Sequence, residues 1–212
     1  MMDYSIDDKW VGRLGLLILG VLVARTLLVY RATGRFPVRF NDTSTAHGFN
    51  HAVLFAVIVA FAANLILMRL PRWLSREPVG DFGNLYDITG PLISLQLDAV
   101  RLAGLILSTL ALCLAGFAQH QMGSSWRIGL DTGHKTDLVT SGLFRSARHP
   151  IYFALILLGL GLFLAMPSAL TGAALAVLVV VLSIQTRLEE EFLRASHGES
   201  YKAYYARTRR WI

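Results

Sequence analysis

The stretch PIYFALILLGLGLFLAMPSALTGAALAVLVVVLSIQT, Pro150 to Thr186, joins two long apolar runs and carries no charged side chain. Met166–Pro167–Ser168 divides it, and a proline inside a helix removes a backbone donor and clashes with the preceding turn. The segment therefore folds as a helical hairpin rather than one rod. Each arm approaches the roughly 20 apolar residues that a helix needs to cross a bilayer core about 30 Å thick. Polar sequence presses on both open ends: LVTSGLFRSARH, Leu138 to His149, precedes the hairpin, and RLEEEFLR, Arg187 to Arg194, follows it directly. A hairpin returns the chain to the level at which it started. Arg148, His149, Tyr152 and the run Glu189–Glu191 then come together at one membrane face.

Working outward, three more windows are long and apolar enough to span, namely Trp10–Tyr30, Asn50–Leu70 and Leu97–Gln119. With Pro150–Met166 and Pro167–Thr186 they make five. The whole chain, 212 residues at 54% hydrophobic and 16% charged with mean hydropathy +0.51, is too apolar for an ordinary soluble domain. The expected fold class is all-α, a polytopic membrane helical bundle of about five transmembrane helices whose C-terminal hairpin forms a polar pocket. It reads as one integral membrane domain over residues 1–212, with N-terminal spans and an interfacial loop in 1–96 and a core in 97–212. Asp3, Asp7 and Asp8 stand where a signal peptide would be basic, so the first span is expected to be retained.

The formal charge of +6 is unevenly placed. With five spans, the 31–49 loop, the 120–149 loop and the C-terminal tail share one side, which holds Arg31, Arg35, Arg39, Arg127, Lys135, Arg145, Arg148 and the basic tail. The other side has the acidic N-terminus and few arginines. Because cytoplasmic flanks carry the excess of Lys and Arg, the N-terminus is expected outside, with the C-terminus and the pocket cytoplasmic. These charges flank spans instead of forming a basic domain with interleaved aromatics, which argues against a nucleic-acid partner.

Other features are read as structural. Cys113 lies within an apolar span as a packing residue, and as the single cysteine it excludes an intramolecular disulfide. His47 and His51, with Asp42 nearby, lack a firm third ligand, so no metal site is expected. The polar 120–148 segment is rich in glycine, yet it has neither the P-loop spacing nor a GxGxxG, which leaves a Rossmann-type nucleotide site unsupported. The 71–97 loop, with Trp73, Phe82 and Tyr86, reads as interfacial.

Gly142–x–x–Arg145–x–x–Arg148–His149–Pro150–x–Tyr152, then the hairpin, then Glu189–Glu190–x–x–Leu193 and Gly198–x–x–Tyr201–x–x–Tyr204, resembles the C-terminal half of isoprenylcysteine carboxyl methyltransferases and the related membrane phospholipid methyltransferases. The resemblance covers roughly residues 120–212. It implies methyl transfer from S-adenosyl-L-methionine bound at the cytoplasmic end of the hairpin. It implies cofactor contacts from Leu138, Val139, Gly142, His149, Tyr152, Glu189 and Glu190. The chemistry of the cofactor agrees: its ammonium and ribose hydroxyls suit carboxylates, and its carboxylate suits Arg148, His149 or Tyr152.

A carboxylate acceptor, such as that of a prenylated cysteine, needs no base but wants a cation to hold it. Arg148 and Arg187 are the candidates. An amine acceptor must lose a proton, for which Glu191 or His149 could serve as base. Arg148, Arg187 and Glu191 are thus the expected catalytic residues, and the acceptor, a lipophilic or prenylated molecule, is expected to enter from membrane lipid. Two departures from the family pattern bear on the acceptor: Thr136 stands where many carboxyl methyltransferases have histidine, and His197–Gly198 stands where they have Phe–Gly. The leading expectation is the prenylcysteine carboxylate, with a phospholipid amine N-methyltransferase next. An NADPH-dependent sterol-type reductase and a non-catalytic membrane sensor or scaffold are readings of other classes.

Overall fold

The computed structural model describes residues 45–74, 89–125 and 137–212, with isolated positions between 20 and 34. Among the described residues the fold is all-α, with five helices: α1 (Thr45–Leu74), α2 (Asp98–Met122), α3 (Pro150–Ala165), α4 (Ala169–His197) and α5 (Glu199–Arg207). The expected first span lies outside the described residues. The expected second to fifth spans correspond to α1 to α4. The difference is at the end of α4, which continues past Thr186 for a further three turns to His197.

The helices hide small and polar side chains and expose large apolar ones. On α2 the inner face is Arg101, Gly104, Ser108, Ala111, Leu112, Ala115, Ala118 and Gln119. Leu102, Ile106, Leu110 and Phe117 point outward. This inverts the pattern of a helix in water, and it suits lipid, where association comes from close packing and polar contacts instead of apolar burial. α1 does the same with Phe49, Phe55 and Ile58 outside, as does α4 with Val180 and Ile184.

The α2–α3 contact shows why the inner residues are small. A Cβ on Gly104 would stand 2.5 Å from the Ala165 nitrogen and 2.6 Å from the Gly161 oxygen. One on Gly161 would meet the Ser108 nitrogen at 2.7 Å and the Gly104 oxygen at 2.8 Å. The backbones therefore touch, and only glycine fits at either position. α1 joins α4 through a core of Val57, Ala174, Leu178 and Leu182, with Tyr152, Leu155 and Ile156 of α3 packed against it.

The hairpin tip is held by a cap. Ser168 Oγ accepts from the Thr171 amide at 3.2 Å while Thr171 Oγ1 accepts from the Ser168 amide at 3.1 Å, a reciprocal arrangement that satisfies orphan donors at the start of α4. Ser168 Oγ also donates to Asn64 Oδ1 of α1 at 3.0 Å. The segment before α2 closes the tip from outside: the Ala169 amide donates to the Gly90 carbonyl at 2.7 Å, and the Leu92 amide to the Pro167 carbonyl at 3.0 Å. Gly90 sits at φ +63°, which only glycine adopts without strain. Residues 89–97 of the loop read as interfacial thus brace the hairpin, with Ile93 and Leu97 exposed. Residues 75–88 lie outside the described residues.

α3 has 16 residues, about 24 Å at 1.5 Å per residue, which falls short of the hydrocarbon thickness. α4 has 29, about 44 Å, and exceeds it. The apolar part of α4 is long and apolar enough to cross a membrane and ends at Thr186. The charged turns beyond it lie beside the start of α3, and the site lies there.

Candidate functional site

Pro150 opens α3, where its missing N–H costs nothing because the first helical donors lack acceptors. Arg148 and His149 are thereby left just outside the helix. They face α4 one residue apart in depth: His149 Nδ1 lies 3.6 Å from Glu189 Oε2, and His149 Nε2 lies 3.4 Å from Glu190 Oε1. Arg148 Nε donates to Glu190 Oε1 at 3.0 Å. Tyr152 stacks on His149 with ring centroids 5.6 Å apart, and its hydroxyl faces Glu189 and Gln185.

The last residues of the chain complete the cluster. Arg210 grips Glu190 with both arms, Nη2 to Oε2 at 2.7 Å and Nε to Oε1 at 3.1 Å. The tail is laid there by backbone pairing with the segment before α3: the Arg148 amide donates to the Arg209 carbonyl at 2.8 Å, the His149 amide to Arg210 at 3.2 Å, and the Arg209 amide to Ser146 at 3.0 Å. Arg148 Nη1 donates to the carbonyls of Tyr205, at 3.1 Å, and Thr208, and its guanidinium lies 3.9 Å above the Tyr205 ring. Tyr204 donates its hydroxyl to the Phe144 carbonyl at 2.7 Å. Trp211 then tilts over His149 at 6.3 Å.

Glu190 is almost fully buried, with a side-chain exposure of 4%. Burial alone would raise its pKa, but hydrogen bonds from His149, Arg210 and Arg148 outweigh that and hold the carboxyl well below the usual carboxylate range. His149 is the mirror case. Burial opposes its charged form, yet Glu189 and Glu190 hold its pKa above the ordinary 6.5. With an acidic oxygen before each ring nitrogen, the imidazolium is the form that matches both neighbours.

The structure brings Arg148, His149, Tyr152, Glu189 and Glu190 together and leaves others apart. Arg187 and Glu191 are exposed, turned roughly 100° around α4 from the buried pair Thr186 and Glu190. They repeat with exposed Arg194 at i, i+4 and i+7, an exposed stripe that runs beside the cluster. Arg148 is inside it but already engaged by Glu190 and the tail carbonyls, which makes it a structural tie instead of an open cation. Gly142 is explained locally: at φ +60° it turns the chain against α2, and a Cβ would run into the Gln121 side chain, whose Oε1 accepts from the Leu143 amide at 2.8 Å. Leu138 and Val139 lie half-buried in the extended stretch before that turn. Arg210, Trp211 and Tyr201 were not among the expected site residues. The visible signal for them was an Arg–Arg–Trp tail beyond the tyrosine pattern.

One buried polar atom beside this cluster, the Tyr201 hydroxyl, has no hydrogen-bond partner. Tyr201 is fully buried, and burial and nearby Glu190 both push its pKa up, so it stays a neutral donor. A donor left over in this way is open to a water or to a ligand group. Glu189 adds a carboxylate still 27% exposed.

A lipid-facing helical bundle with an ion cluster at the end of its hairpin defines an all-α membrane protein with a polar site at one bilayer face. Residues 100–200 match the family model described as phospholipid methyltransferase, a family of membrane methyltransferases. The segment that holds the cluster is thus similar to the phospholipid methyltransferases, and the methyl donor that such a likeness implies is S-adenosyl-L-methionine. No curated protein is similar enough to match the chain.

Proposed function

We propose that the chain transfers a methyl group from S-adenosyl-L-methionine to a lipid-embedded acceptor, and that the acceptor atom is the amine of a phospholipid headgroup. The observation that carries the methyl-donor part is the His149–Glu189–Glu190 cluster at the end of the apolar hairpin, within the matched segment. The donor set fits the cofactor. The Tyr201 hydroxyl can donate to its carboxylate, and the exposed edge of Glu189 can accept from its ammonium or ribose hydroxyls. Backbone groups of Leu138 and Val139 are available for an adenine edge. When bound, S-adenosyl-L-methionine supplies an electrophilic methyl on a sulfonium.

The chain's own residues align and enclose. Arg148 and Arg210 fix the Glu190 carboxylate, and through it the tail, over the site. Trp211 and Tyr152 flank His149 with ring surface and exclude water, which strengthens the polar contacts inside. Glu189 is the carboxylate with an open oxygen, so it can take the proton that an amine loses on methylation.

The choice of acceptor rests on the cations. A carboxylate acceptor needs a donor-rich side chain with open valences, yet Arg148 and Arg210 are both committed to Glu190, and Arg187, three residues before Glu190, is turned out to the exposed side of α4. The prenylcysteine carboxylate stays the second reading, favoured by the RHPxY and EExxL pattern. We also propose that the site faces the cytoplasm, as the charge asymmetry of the loops argues. A labelled-methyl assay comparing a phospholipid with a primary-amine headgroup and a prenylcysteine analogue tests the acceptor. Label in the phospholipid supports this reading, and label only in the carboxyl ester overturns it.

A further inference from the structure

One buried polar group near the site belongs to neither the ion cluster nor the family pattern. Asn50 of α1 is 2% exposed, and its Nδ2 donates to the Val181 carbonyl at 3.2 Å and to Gln185 Oε1 at 2.7 Å. A carbonyl can only accept, so the Val181 contact fixes which way the amide points. The planar group therefore directs Oδ1 away from α4, and that oxygen has no hydrogen-bond partner. Leaving a buried acceptor unpaired is costly, because the group has given up its water without gaining a partner. The opposite end of the same helix pair shows the contrast: Asn64 Oδ1 accepts from Ser168 at 3.0 Å. Helix glue accounts for Asn64. It does not account for the open oxygen of Asn50.

Position gives the oxygen a meaning. Gln185 stands one turn before Glu189 on α4, roughly 6 Å along the axis. Its amide also faces the Tyr152 hydroxyl, which in turn faces Glu189. Asn50 is thus the membrane-side end of a polar row that runs Asn50, Gln185, Tyr152, Glu189. Its chain neighbour Phe49 is 70% exposed, and Ile184, next to Gln185, is 42% exposed. The pair lies one residue inside the lipid-facing seam between α1 and α4.

We propose that Asn50 Oδ1 is a binding contact for the methyl acceptor, accepting a hydrogen bond from an N–H or O–H of its headgroup as the lipid parts the α1–α4 seam. The ligand class is a neutral donor group, an amine or hydroxyl. A carboxylate would set oxygen against oxygen and leave the acceptor unpaired. This inference rests on the methyltransferase reading and deepens it. Asn50 holds the headgroup and does not take its proton, since a neutral amide is not a base at the pH of the cell. Specificity of this kind is effective because a mismatched ligand leaves a buried polar atom unsatisfied.

The test is steady-state methylation of a primary-amine phospholipid in mixed micelles by wild-type protein, Asn50→Leu and Asn50→Ser, alongside calorimetry with S-adenosylhomocysteine. The expected result for Asn50→Leu is a KM for the phospholipid raised about tenfold, with kcat and the S-adenosylhomocysteine affinity little changed. Asn50→Ser, whose hydroxyl can donate to Val181 and still accept from the ligand, should lie between and guards against a misfolded leucine variant. An unchanged KM in both variants, or a loss of S-adenosylhomocysteine binding in both, overturns the proposal. Failure of the wild-type protein itself to bind S-adenosylhomocysteine is a different outcome. It removes the methyltransferase reading and this subsite with it.

Discussion

Arg210 Nη2 lies 2.7 Å from Glu190 Oε2, so the third residue from the end of the chain is locked to the first charged helical turn after the hairpin. The same carboxylate holds Arg148 Nε at 3.0 Å on its other oxygen. Glu190 is therefore the point where the start of α3, the end of α4 and the tail meet. Its two arginines are not equivalent, because the Arg148 side chain is 7% exposed and that of Arg210 is 30% exposed.

That difference orders the effects of substitution. Arg148→Ala leaves a buried carboxylate short of its best-shielded partner and removes donors from the Tyr205 and Thr208 carbonyls, which should cost about 3 kcal/mol. Arg210→Ala breaks a partly solvated pair and should cost about 1 kcal/mol, while making the tail more susceptible to protease. Thermal denaturation in detergent, with limited proteolysis of the C-terminus, checks both. Equal losses would contradict the ordering.

The pH dependence follows from the same cluster. Glu190 has its pKa lowered from 4.5, so its contribution is complete above that value and is lost as pH falls through the lowered one. His149 has its pKa raised from 6.5, so its contribution is complete below that value and is lost as pH rises through the raised one. Stability from the cluster is then greatest between about pH 4.5 and 6.5 and falls on either side. His149→Gln should abolish the alkaline decline and leave the acid limb. A melting profile over pH in which the variant keeps the alkaline decline would count against the pairing.

The helix contact makes a steric prediction. Gly104→Ala and Gly161→Ala each place a methyl group against backbone, which cannot yield as a flexible side chain can, and should destabilise by about 1–3 kcal/mol. Gly116, on the same helix as Gly104, has nothing within 4 Å of a built Cβ, so Gly116→Ala should be neutral or slightly stabilising. Melting temperatures of the three variants decide it.

Rotation of α4 separates the acidic residues by role. Arg187→Ala and Glu191→Ala alter an exposed face and should leave S-adenosylhomocysteine affinity within about twofold of wild type, the usual effect of a surface change. Glu189→Gln should weaken it about tenfold or more, as expected when a charged hydrogen bond is lost. Affinity lost in Arg187→Ala but kept in Glu189→Gln would reverse the assignment.

These elements differ in how legible they were in the sequence. The hairpin was plain because Pro150 and Met166–Pro167–Ser168 punctuate two apolar runs, and period and punctuation are local properties. The meeting of His149 with Glu189 and Glu190 followed from the hairpin's return. The exposure of Arg187 and Glu191 did not, because a run of charges at a helix end has no apolar period to set its rotation. Arg210 was hidden for another reason. Its partner lies 20 residues back, across a helix break at Gly198, and only the backbone pairing of Arg209 with Arg148 brings it home. Asn50 was read as the edge of a span, since the sequence does not show which helix its amide meets.

The central claim is that the His149–Glu189 pair at the end of the hairpin binds the methyl donor. Calorimetry of the purified protein with S-adenosylhomocysteine tests it most directly. The account predicts saturable one-to-one binding that His149→Ala and Glu189→Gln each weaken about tenfold while both variants remain folded. No heat of binding by wild-type protein at millimolar ligand would contradict it.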